Sequence, residues 1–265
     1  MTRRKTDTQV PKILYKYRDW NDNYQKRIIT HQEIFLANPT YFNDPFENIP
    51  IQWDKVSYED CIKENMIIAK LVNPNSSKEE LLALSKEITK QKLFWHPDKL
   101  KRENKSQIED WNNKLGFYCL SETNDNLLMW SHYSKNHEGF MVGFYSESLL
   151  NDYNDEFDYL EKVIYCKDYP KILGLNTNED FYKKFFHKSI HWNYENEWRI
   201  SKNHIENRLI KLKKNTIAEI VIGCKTPNEH KEEIISISRD IYGKEVDIYI
   251  AEKDSEKFKL NIKKI

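Results

Sequence analysis

Glycine is scarce in this chain, six in 265 residues. None of the six falls in the glycine-rich pattern that lets a Rossmann or P-loop backbone approach phosphate closely, so those two nucleotide-binding classes are excluded. Cysteine is scarce too. The four, Cys61, Cys119, Cys166 and Cys224, lie far apart with no C-x-x-C pair. That argues against a structural zinc site and for reduced thiols buried in a cytoplasmic protein. No apolar run approaches the roughly eighteen residues of a membrane span, and the first thirty residues carry no signal-peptide core, so no membrane association is expected. Charge of one sign is also lacking, since 42 Lys and Arg balance 42 Asp and Glu. No global field draws the protein toward nucleic acid or an anionic surface. Repeats and low-complexity tracts are absent.

Aromatic and charged residues fill the space. Aromatics are 13% of the chain and supply much area per side chain, which offsets a hydrophobic fraction of only 39%. The length suits one large domain or two small ones. We expect residues 1–10 to be a flexible terminus, residues 11–265 to form a single domain, and a helical block at about 55–112 to be an insertion or lid. The cations Arg3, Arg4, Lys5, Lys12, Lys16 and Arg18 near the start read as a solvated end.

Hydrophobic patterning predicts strands at Ile13–Arg18, Glu33–Ala37, Leu115–Leu120, Phe140–Phe144, Leu160–Cys166, the end of 191–200, Arg208–Leu212, Ile217–Ile222, Val246–Ala251 and Phe258–Leu260. Helices are predicted at Asn21–Thr30, Tyr58–Val72, Ser77 to about Trp95, a short one leading into Leu115, Asn126–Tyr133, Asp180–Ile190 and Asn228–Tyr242. In the two long early helices the expected buried faces are Ile62, Met66, Ala69 and Val72, then Leu81, Leu84 and Ile88. Ser146–Asp158 reads as an acidic loop. Short strands with unevenly spaced helices define an α+β class, with mixed or antiparallel short-stranded sheets.

Polar chemistry concentrates in three places. Tyr41–Glu47 is too rich in Asn, Asp and Pro for regular structure and too aromatic for a linker; it reads as a loop pinned by Phe42 and Phe46. Within it Asn43, Asp44 and Glu47 combine an amide with two carboxylates, suited to gripping hydroxyls, although Asp44 before Pro45 also suits a turn. Between two central strands, Ser121, Asn124, Asp125, Asn126, Ser131, His132, Tyr133, His137 and Glu138 gather near one end of a sheet. His132 has the intrinsic pKa of a general base, against the alternative of a satisfied core histidine. His132 and His137 are five apart and do not match the helical zinc spacing, so no metal is expected. Late in the chain Glu195 and Glu197, two apart, share a face with Arg199 if one strand contains both. That face is either water-exposed or a site enclosed by Trp192, Tyr194 and Trp198.

The pieces Leu14–Arg18, Phe42–Glu47, Cys119–Ser121, Met129–Tyr133, His137–Gly139 and Trp192–Arg199 resemble, in order, the bacterial and phage family of unknown function called DUF2971. More distantly, an early Tyr-bearing strand, an aromatic loop, a Tyr-bearing middle segment and a late Glu are similar to the ADP-ribosyltransferase layout, DNA-modifying toxins included. That resemblance implies NAD as substrate in a cleft between small sheets. It implies Tyr15 or Tyr17 at the ribose, Tyr133 or Ser121 in the middle, and Glu197 stabilising the ribosyl centre, with Glu195 and His132 as further catalytic candidates. Arg18, Asn43, Asp44 and Glu47 are then candidates for holding the nucleotide, and Trp130 for stacking on its rings. The expected activity is NAD-dependent ADP-ribosyl transfer or NAD hydrolysis in phage defence or as a toxin, with a nucleic-acid or protein acceptor. Alternatives are a non-catalytic nucleotide- or protein-recognition module, and a metal-dependent nuclease using Asp44, Glu47, Glu195 and Glu197. Basic residues Lys99, Lys101 and Arg102 either form a wet outer face or contact the acceptor.

Overall fold

Phe140, Met141, Val142 and Phe144 are all fully buried, the pattern of a strand covered on both faces. The computed structural model describes residues 9–47, 49, 57–91, 105, 109, 111–172 and 178–265. Lys99, Lys101 and Arg102 lie outside them. The strands are β1 (Ile13–Arg18), β2 (Glu33–Phe35), β3 (Gly116–Ser121), β4 (Phe140–Tyr145), β5 (Tyr159–Lys162), β6 (Ile164–Cys166), β7 (His187–Ser189), β8 (Glu197–Lys202), β9 (Leu209–Lys211), β10 (Ile217–Ile222), β11 (Asp247–Lys253) and β12 (Leu260–Lys264). The α-helices are α1 (Arg27–Thr30), α2 (Tyr58–Val72), α3 (Lys78–Gln91), α4 (Leu127–Tyr133), α5 (Ser146–Asn151), α6 (Asn178–Phe185) and α7 (Asn228–Tyr242). The fold is mixed α+β.

The chain divides into two compact units. The first contains the described residues of Met1–Asn38, Leu115–Val163 and His191–Ile265. It holds an eight-stranded sheet in the order β12-β11-β10-β4-β1-β3-β8-β5, with the small antiparallel pair β2-β9 beside it. Its pairings are antiparallel except β10 with β11, which are parallel and joined through α7. One face of the sheet meets α1 and α7 through Leu14, Val142, Phe144, Ile220, Ile248, Ile28, Ile29 and Ile234, the larger core cluster. The other face carries a smaller one, Tyr17, Met129, Trp130, Met141, Val221, Ala251 and Leu260.

The second unit contains the described residues of Pro39–Lys114 and Ile164–Ile190. Its helices α2 and α3 form a hairpin, and a capping box between Ser57 and Asp60 starts α2. The buried stripes differ from the apolar ones expected. Cys61, Asn65 and Ala69 of α2, with Leu81, Ser85 and Thr89 of α3, are buried, while Val72 is exposed. Small side chains let the two helices approach, and the amide of Asn65 donates to Thr89 Oγ1 at 2.8 Å, satisfying both. Three other expectations are corrected. Ser146–Asn151 is a helix; Leu160–Cys166 is two strands, β5 and β6, in different sheets; and the predicted helix to Ile190 stops at Phe185, where β7 follows to pair in parallel with β6.

Gly139 lies directly over the backbone of β1, where a Cβ would overlap the carbonyl oxygen of Arg18. Backbone cannot move aside as a side chain can. We predict that Gly139→Ala lowers unfolding free energy by about 1–3 kcal/mol, the usual range for overpacking, read by urea denaturation; an unchanged midpoint refutes the close approach.

Candidate functional site

Register places Asp247, Glu219, Gly143, Tyr15, Ser121 and Glu197 in one transverse row across β11, β10, β4, β1, β3 and β8. Directly paired residues share a sheet face, so five side chains able to hydrogen-bond and one glycine line the face that α4 covers. The row crosses the weakest joint of the sheet, since β1 meets β3 only at Tyr15 opposite Ser121. Where the two strands part, Lys16 fills in: its Nζ donates to the carbonyl oxygen of Cys119 at 2.6 Å. The ring of Tyr118 lies beneath both Lys16 and Arg18, with the Lys16 Nζ 4.9 Å and the Arg18 guanidinium carbon 5.7 Å from its centroid.

At the β8 end, Glu197 is not a free carboxylate. Arg199 donates to it from Nε at 2.7 Å and from Nη2 at 3.0 Å, and both side chains are buried. Glu195 stands apart from the strand. It ends a 3-10 turn at Ile190–Glu195, and Asn196, with a φ of 42°, redirects the chain before β8 begins at Glu197. The expected alternation of the two glutamates along one strand is therefore replaced by a turn. Glu195 is 3% exposed, and its carboxylate accepts the Tyr133 hydroxyl at 2.5 Å. Ser121 anchors the same turn by donating from Oγ to the Glu195 carbonyl oxygen at 2.6 Å. Asn126 does so from the other side: it caps α4 through its side-chain oxygen, and its amide donates to the Tyr194 carbonyl oxygen at 3.0 Å.

Lys16 senses this cluster. Burial, aided by the Arg18 charge, pulls its amine from an ordinary 10.5 to about 8, and the charges of Glu197 and Glu195 oppose that pull.

The remaining sequence candidates fall as follows. Trp130 is fully buried, donates from Nε1 to the Asn124 carbonyl oxygen at 2.8 Å, meets Tyr17 edge-on, and lies nearly parallel to the His137 ring. It is a core residue, and its faces are occupied. Tyr17 is buried with its hydroxyl on the Thr123 carbonyl oxygen at 2.6 Å. His132 is exposed, with Nδ1 3.0 Å from the Tyr194 hydroxyl. Asn43, Asp44 and Glu47 belong to the second unit. There one of the two rings expected to pin the loop is outside: Phe46 is 65% exposed, while Phe42 is half-buried and Asp44 and Glu47 are buried. Glu47 pairs with buried Lys188 at 2.8 Å. Asp44 Oδ1 accepts the Phe46 amide at 2.9 Å, which makes Asp44 the turn residue of its own loop.

Two charged residues of the row, Glu219 and Asp247, were missed from sequence. Glu219 stands inside the otherwise apolar run Ile217–Ile222, and that isolated charge was the available signal. A register shift between Ile217 and Glu219 marks a bulge, and Gly143 leaves the room in which Glu219 and Tyr15 lie over β4. Burial, with Asp247 adding to it, raises the Glu219 carboxyl above its ordinary value, while hydrogen bonds from Tyr15 and Asn124 hold it down. Burial and the Glu219 charge raise the Tyr15 hydroxyl in turn.

Among the described residues, no three His, Cys, Asp or Glu side chains form a group that would hold a metal ion, and no helix is long and apolar enough to cross a membrane. Residues 129–200, which include most of α4, the Tyr133–Glu195 pair and most of β8, match the family described as Protein of unknown function (DUF2971). No curated protein and no solved structure matches the chain.

Two predictions test this geometry. Glu197→Gln removes the carboxylate charge that faces the buried Arg199 guanidinium across two hydrogen bonds, so it should cost about 3–5 kcal/mol of stability, whereas a surface pair would cost roughly 0–1. Replacing both members, Glu197→Gln with Arg199→Met, should recover most of that loss in urea unfolding; no recovery would mean that the two do not act as a pair. The second concerns pH. The Lys16 pKa is lower folded than unfolded, so the unfolded chain binds more protons between about pH 8 and 10.5, and this group's penalty is full below 8 and fades above it. The stability of wild type relative to Lys16→Met should therefore rise as pH goes from 7 to 10. A flat difference refutes the buried amine.

Proposed function

We propose that this protein is an enzyme that breaks the nicotinamide–ribose bond of NAD, either hydrolysing it or transferring ADP-ribose to an acceptor, with Glu195 as the carboxylate of the reaction. The observation that carries the reading is the Tyr133 hydroxyl held at 2.5 Å on the Glu195 carboxylate, beside the polar row that contains Tyr15 and Ser121. The resemblance to the ADP-ribosyltransferase layout asks for a late carboxylate. Glu197, the first choice from sequence, already has its charge matched by Arg199, so the role passes to Glu195.

In this scheme the C–N bond breaks with its electron pair leaving on nicotinamide, and positive charge develops at the anomeric carbon. A fixed carboxylate favours that charge more than it favours intact NAD. A hydroxyl of water or acceptor forms the new C–O bond, and its proton passes to Glu195. Tyr133 and Ser121 act as positioning residues for the glutamate and its turn, and Tyr15 is the residue we assign to the ribose.

A second reading is favoured by the 3% exposure of Glu195: a carboxylate this enclosed also suits a non-catalytic module, binding a nucleotide or a partner protein, whose polar row is structural. The experiment incubates wild type, Glu195→Gln, Tyr133→Phe and Glu197→Gln with NAD, alone and then with single-stranded DNA, RNA and cell extract, and follows nicotinamide release. Circular dichroism of each variant serves as the folding control. We expect Glu195→Gln to lose about 100-fold or more, as when a group that stabilises transition-state charge is removed, and Tyr133→Phe to lose less. Equal release by wild type and Glu195→Gln removes the assigned role. No release by wild type under any condition favours the binding module.

A further inference from the structure

Away from the polar row, the first unit carries an open-sided depression of about 520 Å³, lined mostly by exposed side chains and within the size range of small-molecule sites. Its walls come from the start of α4 at Leu127, from His137, from the Cys224–Lys225 turn after β10, and from the β11–β12 connection. None of the lining residues belongs to the Tyr133–Glu195 pair or to the row.

The floor is rigid for identifiable reasons. Lys135, Asn136 and His137 all have positive φ, which non-glycine residues adopt only where surroundings impose it. Here the His137 carbonyl oxygen accepts the Lys225 amide at 3.0 Å, and the Gly139 carbonyl oxygen accepts the Gly223 amide at 2.9 Å and the Thr226 hydroxyl at 2.9 Å. Gly223 is required because a Cβ there would overlap the His137 carbonyl oxygen.

The rim is built by Asp254. Its Oδ1 accepts the amides of Glu256 and Lys257 at 3.0 and 2.9 Å, and its Oδ2 accepts the Asn261 amide at 3.0 Å and faces Lys259 at 3.5 Å. Those hydrogen bonds, that of Asn261 foremost, hold its carboxyl down at about 2. Asp254 is thus committed to closing the loop. Lys225, Lys253 and Lys257 form no ion pair among the described residues, and Glu256 is the one lining acid left to oppose them. Phe258, also on the lining, is 102% exposed, so its ring is open to a partner.

Unpaired ammonium groups suit phosphate oxygens, and a free aromatic face suits a nucleobase. We infer that this depression binds a phosphate-bearing nucleotide, its phosphates on Lys225, Lys253 and Lys257 and its base stacked on Phe258. Free nucleoside polyphosphates and single-stranded nucleic acid share this chemistry. The site does not depend on NAD cleavage at Glu195.

The test is titration of the full chain with fluorescent ATP, with AMP, adenosine and inorganic triphosphate as competitors, and separately with a labelled oligothymidylate, each at low and at higher salt. ATP should compete better than AMP, and adenosine should compete poorly. Lys253→Glu with Lys257→Glu should weaken ATP about tenfold or more, with a smaller salt dependence. Phe258→Ala should weaken ATP about fivefold or more, the scale of one lost stack, while leaving inorganic triphosphate unchanged. ATP bound at least as tightly as the oligonucleotide identifies a free nucleotide as the ligand, and tighter oligonucleotide binding identifies a strand. Binding by neither at millimolar concentration, or binding that survives charge reversal in variants with wild-type circular dichroism, overturns the inference. Glu195→Gln should bind as wild type does, so failure here is distinct from failure of the catalytic reading.

Discussion

Taking charge out of water is expensive, and the polar face of the eight-stranded sheet has to answer that cost at every position. Glu197 and Arg199, two apart on β8, answer it between themselves with two hydrogen bonds of 2.7 and 3.0 Å. Such a pair adds little over an apolar substitute, but removing one member takes from the buried charge that remains the two hydrogen bonds its partner supplied. The same demand shapes the neighbours. Glu195 takes the Tyr133 hydroxyl, Lys16 takes a carbonyl oxygen freed where β1 and β3 part, and Glu219 sits under Tyr15 and Asn124 with its carboxyl raised by burial. Once these groups are paired, α4, the turn ending at Glu195 and the edges of three strands have little freedom left.

Two glycines make that arrangement sterically possible. Gly139 lets the turn after α4 lie on the backbone of β1, and Gly143 leaves the space over β4 that Tyr15 and Glu219 occupy. In a chain with six glycines in 265 residues, such positions are informative, because backbone approach of this kind tolerates no Cβ. The run of three positive φ angles at 135–137 has the same origin: carbonyl oxygens of that turn are claimed by Lys225, Gly223 and Thr226, and the chain bends to meet them. The resulting floor supports the lysine-lined depression.

The second unit shows how local pattern and tertiary choice diverge. Its helices lie where periodicity put them, yet the hairpin turns Asn65, Ser85 and Thr89 inward and leaves Val72 outside. An apolar stripe predicts burial only when the partner surface is apolar. Here the facing helix offers a hydroxyl, that of Thr89, which the Asn65 amide meets at 2.8 Å. Similarly Tyr41–Glu47 was recognisable as an ordered loop, but its anchors are Glu47 on Lys188 and the buried Asp44 turn, with Phe46 outside.

From sequence alone came the α+β class, most strand positions, the helices Tyr58–Val72 and Asn228–Tyr242, and the choice of Ser121, Tyr133 and Glu195 as site candidates, because these depend on local periodicity and on polar residues set in aromatic surroundings. The splitting of Leu160–Cys166 into strands of different sheets did not come from it, nor did the turn that separates Glu195 from Glu197, the pairing that neutralises Glu197, or the place of Glu219 in the row. These were decided by which strands lie side by side. Register across a sheet joins residues as distant as Tyr15 and Glu219, and a charge inside a strand takes its meaning from the neighbour that register supplies.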